Sequence, residues 1–333
     1  MPAPTIYDVA RIAGVSHQTV TRYLHGFEGI SPETRQRVAD ALSEVNYQPN
    51  IAARFLRSRW SNRIMVFTDR IDQNGPARVL LGANELARER GYFLDIVMAD
   101  GVDPKSVARS LDTLLAQPTA GILATAKTQV VIEEIKNRST QIPLVIETEA
   151  SENADGPAFN ELAGRYAADH LLDLGHREVG YLAGPEIYLA SQERLTGFTG
   201  RIRERGGAIR WVRHGDWSPE SGYAAWDSLS DPERAVTAVG ASNDSMAMGI
   251  IAAARASDIG VPSQLSVIGF DNLPEARFTQ PPVTTVEMDF ETEGRTIMAV
   301  LIAKIEGAPE PEMRQPGNPY VIARESTGRP PAG

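Results

Sequence analysis

The sequence predicts an all-α helix-turn-helix head over residues 1–49, joined to a larger α/β body from residue 61 onward. Three observations carry that expectation. Residues 5–24 hold two short amphipathic segments around a glycine. β-rich runs alternate with helical ones after residue 61. Several of the helical runs stop at a glycine, as helix C-caps do. With 333 residues the chain has length for two or three domains with sizeable cores.

Composition narrows the classes. A 42% hydrophobic and 23% charged chain is ordinary for a soluble globular protein. No apolar run approaches a membrane span. The first thirty residues carry Asp8, Arg11, Arg22 and Glu28 without a continuous apolar core, so a signal peptide is not expected and a cytoplasmic location is. The absence of cysteine excludes disulfides, thiolate metal sites and cysteine nucleophiles. Net charge is −10, yet residues 1–60 hold seven arginines against five acids, a net +2 that leaves −12 for the rest. A mildly basic head on an acidic body fits a DNA reader with a separate second domain, although charge alone leaves this open.

In the head, Thr5 is placed to N-cap the first helix, with Asp8 in its first turn. Ile6, Val9, Ala10 and Ala13 share one face. Gly14 permits a sharp turn, and Val15 plugs the angle between helices. Ser16 then caps a second helix, His17–Leu24, with Val20 and Leu24 inward and His17, Gln18, Thr21 and Arg22 outward. Gln18 suits adenine N6/N7 and Arg22 suits guanine O6/N7 in a major groove. The candidate DNA-contacting residues are thus Thr5, Ser16, His17, Gln18, Thr19, Thr21 and Arg22. A third helix starts at Ser31-Pro32 and buries Val38, Ala41, Leu42 and Val45, ending near Asn46-Tyr-Gln-Pro-Asn50 because Pro49 forbids continuation. The same pattern also suits a small helical bundle with no DNA role.

The run Thr5 to Leu24, the Asn46–Asn50 segment and Ile51-Ala-Ala-Arg-Phe-Leu56 resemble the lactose-repressor family across the whole head. The resemblance implies a hinge helix and linker over residues 50–60, opened by Asn50, with Leu56 wedged into the minor groove and Ala53 beside it. An apolar wedge unstacks a base step and kinks the duplex. So short a helix is unstable alone, so it should fold only when DNA and a second hinge hold it. Arg54, Arg57 and Arg59 are available for phosphates.

In the body, strands are expected at Ile64–Thr68, Phe93–Ala99, Gly121–Ala124, Leu144–Glu147, Val179–Ala183, Ile209–Arg213, Val236–Ala241 and Val267–Asp271. The helices between them are expected to end at Gly91, Gly175, Gly206 and Gly260. Such alternation means parallel sheets covered by helices, and stretch 148–158 is a plausible divide. By itself this suits an enzyme, a receptor or a binding protein. The family resemblance continues through Ala183-Gly-Pro185, Gly215-Asp-Trp-Ser-x-x-Ser-Gly222, Asn243-Asp244 and Gly269-Phe-Asp-Asn272. It implies a periplasmic-binding-protein-like effector and dimerisation domain over 61–333: two Rossmann-like subdomains joined by three crossing strands, with a cleft between them. The N-subdomain would take 61–158 plus 288–318, and the C-subdomain 159–287 plus 319–327.

A neutral, hydroxyl-rich ligand needs hydrogen-bonding groups at strand ends and an aromatic wall. The resemblance puts Arg194, Asn243 and Asp271 at polar positions of sugar-binding members, Trp217 at their stacking aromatic, and Phe159 and Phe290 at further walls. Each has a plainer role available: Arg194 on a helix surface, Asn243 and Asp271 as loop formers, Trp217 in the core. Met288, Asp69 and Glu147 depart from the family's type protein, which has an amide, a small hydroxyl and a shorter acid there. The Gly-Asp-Trp-Ser run is nearer to sugar-responsive than to purine-responsive members, so a sugar is the expected effector.

None of the five histidines forms a close metal-ligand pair, and no nucleophile elbow or phosphate loop follows a strand. No catalytic residue, metal or cofactor is expected, and Gly175-His176-Arg177 reads as a helix-ending turn. The expectation is a repressor released from double-stranded operator DNA by a small sugar. Alternatives are a sugar-binding or sugar-processing protein with a vestigial head, and a regulator answering a nucleobase. The chain stops soon after Arg324–Thr327 without a leucine-rich extension, so a homodimer is expected.

Overall fold

The computed structural model describes residues 5–24, 27, 29–45, 61–125, 128–138, 141–147, 157–309, 311 and 317–331. The hinge residues Asn50, Ala53 and Leu56 lie outside these, as does most of stretch 148–158. The chain divides into two compact units, Met1–Ser61 and Asn62–Gly333.

The first unit holds α1 (Ile6–Ala13), α2 (His17–Leu24) and α3 (Pro32–Glu44). Asp8 closes the first turn, accepting from the Thr5 N–H at 2.9 Å and the Thr5 hydroxyl at 2.7 Å. Those bonds hold its carboxyl below the usual range. Gly14 sits at φ 63°, where a side chain is resisted, and the Val15 N–H reaches Ala10 O at 3.0 Å. Ser31 Oγ accepts the Thr34 N–H at 3.3 Å to start α3. One apolar stripe from each helix then meets in a small core of Val9, Ala10, Ala13, Val20, Val38 and Ala41.

The second unit opens with β1 (Arg63–Thr68), α4 (Asn74–Glu89), β2 (Phe93–Met98), α5 (Pro104–Leu115), β3 (Gly121–Ala124), α6 (Gln129–Lys136) and β4 (Leu144–Ile146). It continues through α7 (Phe159–Leu174), β5 (Glu178–Ala183), α8 (Leu189–Glu204), β6 (Ala208–His214), α9 (Pro219–Asp227) and a short α10 (Asp231–Arg234). Last come β7 (Ala238–Ala241), α11 (Asp244–Ala256), β8 (Ser266–Phe270), β9 (Thr284–Glu287), α12 (Phe290–Glu306) and β10 (Tyr320–Ile322). One sheet has the order β2-β1-β3-β4 and the other β10-β9-β8-β7-β5-β6. All pairs are parallel except β10 on β9, where Val321 faces Val286. β3, β7 and β8 bury every residue, as strands covered on both faces do.

β9 is a strand that the run of β-rich segments does not announce. Thr284 and Thr285 are fully buried in it, so hydropathy hides them. Their polar groups are satisfied: the Thr284 N–H donates to Ser326 Oγ at 2.7 Å, and Thr285 Oγ1 accepts the Asn272 N–H at 3.2 Å. Gly91, Gly175 and Gly206 take the expected left-handed conformation, at φ 79°, 107° and 76°. Gly260 does not. After α11 that role falls to Asp258 at φ 57°, and Gly260 instead donates its N–H to Gln264 Oε1 at 2.7 Å.

Three helix pairs make the most extensive helix contacts of the body: α7 with α8, α4 with α12, and α9 with α11. Each is closed by a glycine on both partners. A Cβ on Gly197 would lie 1.9 Å from Glu161 O, and one on Gly164 would lie 2.4 Å from Arg194 O. Gly82 and Gly294 stand likewise against Glu291 O and Val79 O, at 1.9 and 2.0 Å. Gly249 and Gly222 meet Pro219 O and Met246 O at 1.9 and 2.2 Å. In these pairs backbone touches backbone, with no room for one methyl group.

His176 fastens the end of the chain to the second sheet. Its Nε2 donates to Gly328 O at 2.9 Å, which leaves Nδ1 to accept from the Thr237 hydroxyl at 2.8 Å. His170 Nε2 meets Thr327 Oγ1 at 2.9 Å nearby. Burial pushes both imidazoles below their ordinary value of 6.5.

Gly197→Ala should destabilise the body by ~1–3 kcal/mol through overpacking. Gly200→Ala, on the same helix with nothing near its would-be Cβ, should stabilise by roughly 0.5–1 kcal/mol. Urea unfolding of the two variants reads the difference in sign. The depressed histidines bind fewer protons in the native than in the unfolded state just below pH 6.5, so their contribution rises with pH up to that value and is level above it. The histidine share of stability, read by urea titration as the difference between wild type and a non-titrating variant, should therefore fall as pH drops below 6.5. His176→Gln, which does not titrate, should flatten that slope.

Candidate functional site

The head presents α2. His17, Gln18 and Arg22 are exposed on it, while Val20 on the opposite face is fully buried. Ser16 and Thr19 are engaged in the cap: Ser16 Oγ accepts the Thr19 N–H at 3.1 Å and meets its hydroxyl at 3.0 Å. Thr21 turns its hydroxyl back to His17 O at 2.9 Å. The Arg22 guanidinium rests over the Phe27 ring at 5.5 Å, and the Tyr7 and His17 rings lie 5.2 Å apart. The exposed Gln18 amide and Arg22 guanidinium are of the types that read base edges.

The body holds a partly open cavity of about 90 Å³ where the carboxyl ends of its two sheets converge. Asp69, Thr125 and Glu147 line it, each directly after β1, β3 or β4. Asp271 follows β8 in the same way, and Asn243 stands two residues beyond β7. Open α/β sheets offer ligand contacts at these edges because diverging loops leave a crevice there.

Arg194 projects from α8 into this space and is only 4% exposed. Its Nε donates to Asn160 Oδ1 at 3.0 Å and its Nη1 to Ser242 O, while Nη2 lies 3.2 Å from Met288 Sδ. The Phe270 ring lies 5.2 Å from the guanidinium carbon. Nη2 also stands 2.9 Å from Asp271 Oδ1 as an ion pair, though no N–H points along that line and Oδ1 has no hydrogen-bond partner. Burial raises the Asp271 carboxyl above its usual range despite the attraction of Arg194. A buried pair of this kind adds little stability but offers ready-made donors and acceptors.

Trp217 is held at φ 75°, a left-handed conformation unusual for a bulky residue. Its neighbours enforce it. Asn243 Nδ2 donates to Trp217 O at 3.0 Å while Oδ1 accepts the Met246 N–H at 2.8 Å. Gly184 leaves space for the indole, whose Cη2 would lie 2.3 Å from a Cβ there. Asp216 Oδ1 accepts the Ser218 N–H at 2.9 Å, and Ser218 caps α9. The Gly-Asp-Trp-Ser run is therefore a device that aims one ring, and Ala183-Gly-Pro185 supplies the space for it.

Asp69, Glu147, Arg194, Trp217, Asn243, Asp271 and Phe290 all line the one cavity. Trp217 also packs on the second hydrophobic cluster, so wall and core roles coincide. Phe159 lies outside the lining, packed against the main hydrophobic cluster, with Asn160 next to it turned to Arg194. Met288 is fully buried behind Arg194. Arg70, Thr125, Asn160 and Tyr188 line the cavity without having been singled out. The rule of strand ends would have found Thr125; Tyr188 sits in a loop with no local signal. No cluster of His, Asp and Glu among the described residues could hold a metal ion, and no helix there is long and apolar enough to cross a membrane.

Comparison with known proteins agrees with this arrangement. Residues 5–50 match the bacterial regulatory proteins of the lacI family, and residues 168–327 match a periplasmic binding protein-like domain. The HTH-type transcriptional repressor PurR of Actinobacillus pleuropneumoniae serotype 3 is 30% identical over 306 residues, 90% of this chain and 91% of that protein. PurR of Haemophilus influenzae (strain Rd) is 29% identical with the same coverage. The lac repressor dimer bound to operator and the anti-inducer ONPF superposes with a TM-score of 0.80 at 27% identity, over 98% of this chain and 99% of that one. A complex of the transcriptional regulator CelR with cellobiose gives 0.70 at 27% identity, over 97% and 99%. With the helix-turn-helix head, the two-sheet body and a 30% identical relative along nine-tenths of its length, the chain belongs to the lacI family and is a DNA-binding transcriptional repressor, not an enzyme.

Proposed function

We propose that the cavity is the effector site and that its effector is a neutral sugar whose binding releases operator DNA. The observation that carries this reading is the joint lining of one cavity by hydrogen-bonding groups (Arg194, Asp271, Asn243, Asn160) and by Trp217, Phe290 and Tyr188. Hydroxyls bind the first set and the C–H face of a sugar ring stacks on the second. The similarity to a cellobiose complex adds support. The second reading is a nucleobase effector, favoured by the relatives named PurR.

In this proposal Thr5, Ser16, His17, Gln18, Thr19, Thr21 and Arg22 meet the operator, with Gln18 and Arg22 reading bases. Asn50, Ala53 and Leu56 form the hinge at the minor groove. Residues 1–49, 50–60 and 61–333 are head, hinge and effector domain. The functional unit is a homodimer in the cytoplasm. Exposed apolar side chains on the edge strand β2 (Phe93, Ile96) and on α4 (Leu81) support a self-complementary interface. Effector binds the two states of the repressor with different affinity, and a coupling of ~1–3 kcal/mol is typical for such switches.

Thermal-shift titration with neutral sugars and nucleobases tests the effector class, since a ligand at 100 times its Kd stabilises by about 2.7 kcal/mol. A sugar should shift the wild type and not Arg194→Ala, which should keep operator binding; a shift by nucleobases alone overturns the sugar. For the head, Arg22→Ala should weaken operator binding by ~1–3 kcal/mol and relax preference at one base pair. An equal loss on random DNA would reduce Arg22 to a phosphate contact.

A further inference from the structure

A second, open chamber of about 640 Å³ adjoins the cavity. The two share Asp69, Arg70 and Tyr188, which stand as the partition between them. The partition is made of side chains from opposite walls. Asp69 and Arg70 follow β1 of the first sheet, whereas Tyr188 precedes α8 of the second and forms an isolated bridge with Thr128. The Tyr188 hydroxyl lies against the Asp69 carboxylate and the Arg70 guanidinium; burial and Asp69 together push it up to about 12. Asp69 keeps Oδ2 buried without a hydrogen-bond partner.

Volume makes the partition matter. The inner cavity, at about 90 Å³, is smaller than the roughly 150 Å³ that accommodates benzene. It is also well below the ~300–1,000 Å³ usual for a ligand site. Swinging Tyr188 aside merges the chambers into a space inside that range. The outer chamber has a use for a second ring, because Met98, Val102 and Ile187 are 51, 46 and 45% exposed and line it together. Apolar side chains gathered in one recess call for an occupant. Among the described residues that line it the charge is acidic: Asp69, Asp100 and Asp216 face it, and the cation there, Arg70, is already paired with Asp72 at 2.9 and 3.0 Å. An anionic ligand would meet repulsion there.

We propose, resting on the sugar reading above, that the effector is a neutral two-ring saccharide, with one ring at Arg194 and Trp217, the other in the outer chamber, and Tyr188 gating the passage. Phosphorylated sugars and sugar acids are excluded by the same carboxylates.

Calorimetry on the full chain tests this with glucose, galactose, cellobiose, lactose and glucose 6-phosphate. At least one disaccharide should bind about tenfold or more tighter than its monosaccharides, a difference of ~1.4 kcal/mol. Glucose 6-phosphate should not bind. Ile187→Trp and Val102→Trp, both on exposed positions, should bring the disaccharide-to-monosaccharide ratio near unity by filling the outer chamber. Equal binding of single and double rings, or a ratio untouched by both variants, overturns the two-chamber site and leaves the sugar reading standing. Binding of a nucleobase with no saccharide binding overturns both.

Discussion

Backbone contact between paired helices is the constraint on which the body depends. Each of the three pairs carries a glycine on both sides, set against a carbonyl oxygen of the partner. Each pair also delivers part of the cavity. α7 and α8 bring Asn160 and Arg194 together, α4 and α12 bring Gly75, Val79 and Phe290, and α9 with α11 fixes the segment that carries Trp217 and Asn243. Interiors packed to crystal density transmit small shifts. A helix displaced by one methyl group would carry its polar group off the position its hydrogen bonds require.

Within that frame the cavity gathers features that are unfavourable alone. A bulky residue in a left-handed conformation, an arginine almost without solvent and a carboxyl raised by burial would each destabilise a generic fold. Here specific neighbours hold them in place. Asn243 grips the Trp217 backbone, Gly184 clears its ring, and Asn160, Ser242 and Met288 surround Arg194. Strain and buried charge concentrate at one cavity between two sheet edges, as expected where a ligand supplies the missing partners.

The head is built on a different economy. Its core is six small or β-branched side chains, and its order comes from caps: Thr5 with Asp8, Ser16 with Thr19, Ser31 with Thr34. Those bonds are local, so the residues that make them are neighbours in sequence. The helix that would meet DNA is thereby fixed without long-range support, and its exposed polar face remains available for reading.

The same contrast separates what the sequence determined from what the tertiary structure decided. Caps, glycine stops and apolar periodicity are local properties, so all three helices of the head and the eight expected strands were legible, with ends moved by one or two residues. The strand ends and family motifs that mark seven of the nine candidate effector residues, those lining one cavity, were legible too. β9 was not, since its buried threonines become suitable for a core only through partners such as Ser326 and Asn272, far along the chain. Nor was Asn160, one residue from the chosen Phe159; a step along a helix turns a side chain by about 100°, and only α8 across the interface decides which residue faces the cavity. The helical glycines read from sequence as weak helix formers. Only the partner backbone, within 2.4 Å of where a Cβ would stand, makes them the fixed points of the fold.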